Sequence, residues 1–194
     1  MDRVPIKDSP KLMEAVIQEM QVSLGDAANG LPWLDHVFGR AETTMCDYHG
    51  RKDYRVPSVY VGGGKYEQIV PDRRDWGNYA FFYTEGELDV VESIMVRPYF
   101  RLSGEVSLVV WGDLRDLESQ DDRNVESVRD AVLQALGRIR LTRGHVRWRR
   151  VYDEGVDVWR RYSCKEMDGQ LMMWPYFGFR FVGEIECDSG CDEG

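Results

Sequence analysis

Histidine and cysteine are scarce in this sequence: among 194 residues there are three of the first and four of the second. Four cysteines over this length are too few for a disulfide scaffold, and they read as reduced thiols of a cytoplasmic protein. Long apolar runs are also missing. None approaches the roughly 20 residues that a membrane helix needs, so no membrane partner is expected. The opening Met1-Asp2-Arg3-Val4-Pro5 lacks the apolar core of a signal peptide. Positive charge is in deficit, with 25 Lys and Arg against 34 Asp and Glu and a formal net charge of −9. Nucleic-acid binders draw most of their affinity from a basic surface, so no specific nucleic-acid partner is expected. Repeats, low-complexity blocks and Pro/Gly linkers are absent as well. That leaves one domain over residues 1–186, followed by an acidic, glycine-containing tail over 187–194 that should fray.

What is present is pattern. Hydrophobic residues make up 43% and aromatics 12%, which excludes a disordered chain. The clearest unit is a strand followed by a helix between Phe100 and Ile139. Phe100, Leu102, Val106, Leu108 and Val110 alternate with Arg101, Ser103, Glu105 and Ser107, the period-two signature of a half-buried strand. After an acidic loop (Asp113, Asp116, Glu118, Asp121, Asp122), Asn124 is placed to cap a helix with Glu126 in its first turn. Val125, Val128, Val132, Leu133, Leu136 and Ile139 then form one apolar stripe.

Ser9-Pro10 signals the start of an earlier helix, whose face is Leu12, Val16, Met20 and Leu24 with Met13 and Ile17 beside them; Gly25 ends it. The spacing predicts a short second helix over Pro32–Phe38 and a weak strand over Ala41–Tyr48. It predicts a clearer strand over Val56–Tyr60, placed at a sheet edge or beginning there because Pro57 cannot donate a ladder hydrogen bond. Gly62-Gly63-Gly64 breaks that strand and opens a long mobile loop to Arg74. Tyr79–Thr84 reads as a strand, Glu85-Gly86-Glu87 as a turn, and Leu88–Met95 as either strand or helix. Arg140–Tyr152 has Val146, Trp148 and Val151 as inward candidates. The polar stretch Asp153–Gly169 allows a short helix or a loop hairpin. The strongest alternation spans Leu171–Glu186, with Met173, Phe177, Phe179, Phe181 and Ile185 on one face and Tyr176, Arg180, Glu184 and Glu186 on the other. The expected fold is α+β: a mainly antiparallel sheet with an N-terminal helix and a second helix packed on it.

Chemical motifs are weak. Gly62-Gly63-Gly64-Lys65 offers bare backbone to an anion, but Tyr66 stands where a phosphate loop needs Ser or Thr. Cys46-x-x-His49 and Cys187-x-x-x-Cys191 have a zinc-like composition without the compact spacing of a zinc ribbon. Asp35-His36 is a pair of sequence neighbours, and no Gly-x-Ser-x-Gly elbow supplies a nucleophile. No catalytic residue, cofactor or metal is assigned, and the chain is read as a non-enzyme.

Two charged features stand out. Arg138, Arg140, Arg143, Arg147, Arg149 and Arg150 form the one basic run in an acidic chain. They read as cations favoured at a helix C-terminus followed by an exposed strand face, as contacts to phosphate or an acidic partner, or as contacts to the acidic loop of a neighbouring copy in a ring. Arg147 and Arg149 with Asp116 and Asp121 are the candidates for such a contact. Trp174 and Tyr176, on the outward parity of the last strand, are interface candidates. Lys65 and Arg73 are candidates in a loop adaptable to a partner.

The order of these elements resembles the tail-terminator (tail-completion) and related minor tail proteins of long-tailed bacteriophages. The resembling features are an N-terminal amphipathic helix, the strand Val56-Pro57-Ser58-Val59-Tyr60-Val61 with its glycine-broken loop, and the long strand ending at Val109-Val110-Trp111. An acidic loop, the helix Val125–Ile139 and closing aromatic strands complete the order. The resemblance implies a homo-oligomeric, hexameric ring on the tail tube that contacts tube and head–tail connector proteins and carries no catalytic residues. An acidic subunit suits the wall of a DNA conduit. The sequence departs from the compact members by extra residues around Ala41–Gly50 and Asp153–Gly169. Two other readings stay open: a small cytosolic enzyme with a pocket between the sheet and Asp153–Gly169, and a bacterial binding or adaptor module with a single partner.

Overall fold

Alternating apolar residues in the two longest strand-like runs place those runs side by side at the centre of a five-stranded sheet. The computed structural model describes residues 12–48, 51–71, 76–92, 100–117, 125–163, 171 and 173–188. In chain order the elements are α1 (Leu12–Gly25), β1 (His36–Arg40), β2 (Glu42–Tyr48), β3 (Arg51–Gly62), β4 (Lys65–Gln68), β5 (Tyr79–Glu92) and β6 (Phe100–Asp113). They continue with α2 (Val125–Arg138), β7 (Gly144–Tyr152), α3 (Gly155–Val158) and β8 (Tyr176–Asp188). The large sheet has the order β1-β5-β6-β8-β7, and β2-β3-β4 form a separate three-stranded sheet. All pairings are antiparallel except that of β1 with β5. The fold is α+β, with both longer helices on one face of the large sheet.

That face is built as the periodicity dictates. Met13, Val16, Ile17, Met20 and Leu24 of α1 and Val128, Val132, Ala135 and Leu136 of α2 are buried against it. The sheet answers with Phe82, Val106, Leu108, Val110, Phe177, Phe179, Phe181 and Ile185. Leu133, expected in the α2 stripe, is 39% exposed, and Ala135 takes the inward place.

The opposite face is also a core. Tyr79, Phe81, Tyr83, Val109 and Trp111 are buried there against Val56 and Val59 of β3, the Ile69-Val70 pair, and Val158, Trp159 and Tyr162. Six consecutive residues of β6, Val106 to Trp111, are therefore buried. A strand closed on both faces cannot keep the polar face that its alternation predicts.

Several expectations are corrected by pairings remote in sequence. Pro32–Phe38 is a turn leading into β1, because the backbone of Asp35 and His36 donates to the Asn78 carbonyl and Val37 pairs with Ala80. Asn78 is 2% exposed; its side chain accepts from the Asp113 amide at 2.7 Å and donates to the Trp33 carbonyl at 3.3 Å. β3 is the centre of its sheet rather than an edge. Pro57 is tolerated because its carbonyl, which accepts from Ile69, faces the side where β4 has already ended. Gly62–Lys65 is a tight hairpin turn rather than the start of a long loop, with Gly63 at φ 59 and Gly64 at φ 77, the positive values that a two-residue hairpin turn demands. β4 and the buried Ile69 and Val70 follow it. Glu85-Gly86-Glu87 is a bulge within continuous β5, marked by a register shift between Glu85 and Asp89 and by Gly86 at φ 77. β8 runs on to Asp188, and Cys187, placed by the sequence reading in a frayed tail, is fully buried.

Candidate functional site

Along the second face of the large sheet, aromatic residues give way abruptly to charge. Tyr83 pairs with Ser107, and Ser107 with Val182. In the next row outward, Glu85 pairs with Glu105, Glu105 with Glu184, and Glu184 with Arg147. Directly paired residues share a face, so three carboxylates stand side by side on adjacent strands, an arrangement that repels itself unless cations intervene. Arg149 forms an ion pair with Glu184, Arg180 Nη1 lies 3.7 Å from Glu85 Oε2, and the charge of Glu105 acts on Arg150.

The three carboxylates line a groove of about 770 Å³, bounded by β5, β6 and β8 on its floor and by Arg149, Arg150, Arg160 and Arg161 on its walls. Of the stretch after Asp153, Arg160 and Arg161 face it. Arg161 fastens that stretch: its Nε donates to Thr43 Oγ1 at 3.0 Å, its Nη1 to the Thr84 carbonyl at 2.5 Å, and its guanidinium lies 5.5 Å from the Tyr83 ring. Behind it, Trp159 and Tyr162 stand 5.9 and 6.0 Å from the Phe81 ring. One segment therefore both walls the groove and covers the second core.

Arg180 marks the seam between core and groove. It is 1% exposed. Its Nη1 donates to Tyr83 Oη at 3.4 Å, and its guanidinium carbon sits 4.5 Å over the Tyr152 ring. Its Nε has no hydrogen-bond partner among the described residues. The sequence reading placed Arg180 on an outward face. The parity is right, but that face is roofed at this level. Burial pushes the Tyr83 phenol up from its usual value, against smaller opposing effects from Ser107 and Arg180. The Arg150 guanidinium is held above its usual value, chiefly by its hydrogen bond to Tyr152.

The other predicted contacts are scattered. Arg147 and Arg149 are exposed on β7, and the partner of Arg149 is Glu184 of its own chain. Asp116 is exposed in the 3-10 turn Leu114–Asp116, whose cap Asp113 accepts from the Arg115 amide at 2.9 Å. Asp113 pairs with Tyr176 at the start of β8, whereas Arg147 pairs with Glu184 far along it, so the acidic turn and these arginines do not meet within one chain. Tyr176 stacks on Trp111 at 5.4 Å with Arg115 at 5.3 Å from its ring, a packed position rather than a free anchor. Trp174 is 66% exposed. Lys65 is exposed in the hairpin. Asp121 and Arg73 lie outside the described residues, as do His49 and Cys191. Cys46 packs on the second core and Cys187 on the helix-side core, so the sheet separates the two cysteines. Among the described residues no group of three His, Cys, Asp or Glu is placed to hold a metal ion.

Sequence reasoning missed the carboxylate row and Arg180. No local signal marks them, since Glu85, Glu105 and Glu184 become neighbours only through strand register. Compared with known proteins, the sequence matches no family model and no curated protein.

Proposed function

We propose that the chain is a structural assembly subunit, a tail terminator of a bacteriophage or prophage that closes into a ring on the end of the tail tube and offers a face to the head–tail connector. On this reading it assembles in the bacterial cytoplasm and persists in the virion. The observation that carries the reading is the β3–β4 hairpin, which bears three large exposed residues: Tyr60 at 58%, Tyr66 at 53% and Val61 at 47%. The two tyrosine rings lie 5.4 Å apart, and Tyr60 Oη accepts from the Gly64 amide at 3.1 Å, so the pair is held ready rather than loose. Aromatic side chains presented together with little entropy left to lose are the usual anchors of protein contacts. Sedimentation or native mass measurement at high concentration should give a closed oligomer, and purified tube protein should bind it. A monomer at every concentration with no affinity for tube protein would end this reading.

The groove favours a second reading, a binding module or small enzyme acting on a ligand that carries both charges. A small molecule that raises the melting temperature of a strictly monomeric protein would favour it over the ring.

A further inference from the structure

We infer that two copies of this chain join edge to edge, the β7 strand of one lying antiparallel against the outer half of β5 of the next. This inference rests on the ring reading and names its contact.

Among the described residues the large sheet ends in two open edges. There β7 pairs with β8 and with no other strand. β5 pairs with β1 only as far as Phe82, so beyond Arg161, which takes the Thr84 carbonyl, its outer edge has no strand partner among the described residues. Unpaired edges are templates for another strand. These two carry opposite charge. The β5 edge bears Glu85, Glu87 and Asp89 and no base, whereas β7 bears His145, Arg147, Arg149 and Arg150 and no acid. Glu85 and Arg149 are engaged within the chain. Glu87, Asp89 and Arg147 are exposed, with no ion-pair partner among the described residues.

Charge on an edge strand normally discourages pairing, and each of these edges also has a bulge, between Glu85 and Asp89 and between Trp148 and Arg150. The bulges limit the length of any pairing, and the charge acts against pairing of like with like. Acid facing acid and arginine facing arginine repel, so a two-fold dimer through either edge is disfavoured, while acid facing arginine is relieved. The combination selects a head-to-tail contact, the kind that closes into rings. Strand direction agrees. Three successive antiparallel steps (β5 to β6, β6 to β8, β8 to β7) leave β7 running opposite to β5, so rotation about an axis along the strands brings the next copy's β7 antiparallel to β5. Across the sheet Val90 is level with Gly144 and Glu85 with Arg147, so it is the first half of β7 that meets the stretch of β5 beyond Glu85. Exposed Val90, 60% accessible, supplies apolar surface on the β5 edge.

The test uses the full chain in three forms: wild type, Glu87→Lys/Asp89→Lys, and Arg147→Glu. Each reversed form should lose self-association by about 100-fold, and an equimolar mixture of the two reversed forms should recover most of it, because opposite charges then meet at every contact between unlike copies. Hydrogen exchange at β7 and at the outer half of β5 should slow when the wild type assembles. A wild-type oligomer unchanged by either reversal, or assembled without that protection, overturns the edge contact and leaves the ring reading standing. A wild type that stays monomeric and ignores tube protein overturns both. Circular dichroism of the reversed forms, whose altered side chains are all exposed, confirms that they are folded.

Discussion

The helix-covered face of the large sheet and its opposite face are closed by different means. On the first, two amphipathic helices lie over an apolar surface that runs from Phe177 to Cys187 along β8. On the second, the cover is pieced together from β3, the Ile69-Val70 pair and the segment carrying Trp159 and Tyr162, and it stops at Tyr83. Beyond that line the same strands carry Glu85, Glu105 and Glu184. The difference teaches that a helix can cover a sheet from end to end, whereas a smaller sheet and a short segment cover only part and leave a charged margin.

The sharpest way to break the comparison is to empty both cores. Phe179→Ala on the helix face and Phe81→Ala on the other should each cost about 4 kcal/mol by denaturant unfolding, since both rings are essentially inaccessible. A cost below about 1 kcal/mol for Phe81→Ala would mean that the second face is not a core at all. Next in size is the seam. Glu85→Gln removes the carboxylate nearest to buried Arg180 and should cost about 2 kcal/mol, reduced from the loss expected of a fully buried pair because the Glu85 side chain is 21% exposed. Adding Arg180→Met to that variant should restore most of the stability, as the stranded charge leaves with its side chain; an additive further loss would show that Arg180 matters for packing rather than charge. The smallest effect is alkaline. The folded-state pKa of Tyr83 is raised by burial, so its contribution to stability is complete below the ordinary tyrosine value near 10 and is lost as pH rises through the higher folded value. Melting temperature followed from about pH 9 to about pH 12 should fall less steeply in Tyr83→Phe than in the wild type.

The helix face was largely readable in the sequence, and the second face was not. The α1 and α2 stripes and the alternation of β6 and β8 are local patterns, and a local pattern survives without knowledge of its partner. β1 was misread as helix because what makes Val37 and Phe38 a strand is a parallel neighbour beginning at Tyr79. Pro57 argued for an edge, since nothing near it says that β4 ends before reaching it. Gly86 looked like a turn because a bulge and a turn use the same residue for the same positive φ. Arg180 was assigned to solvent by parity, which identifies a face but not what covers it. The groove shares this limit, because its charges depend on register across three strands.

The double duty of the segment bearing Trp159 and Tyr162 fixes how often the groove can widen. Any outward swing of that wall brings both rings into water, along with the face of Phe81 beneath them. At about 2 kcal/mol for each large side chain exposed, the two rings alone set about 4 kcal/mol against such a swing, so the packing beneath the wall holds the groove at the width seen here.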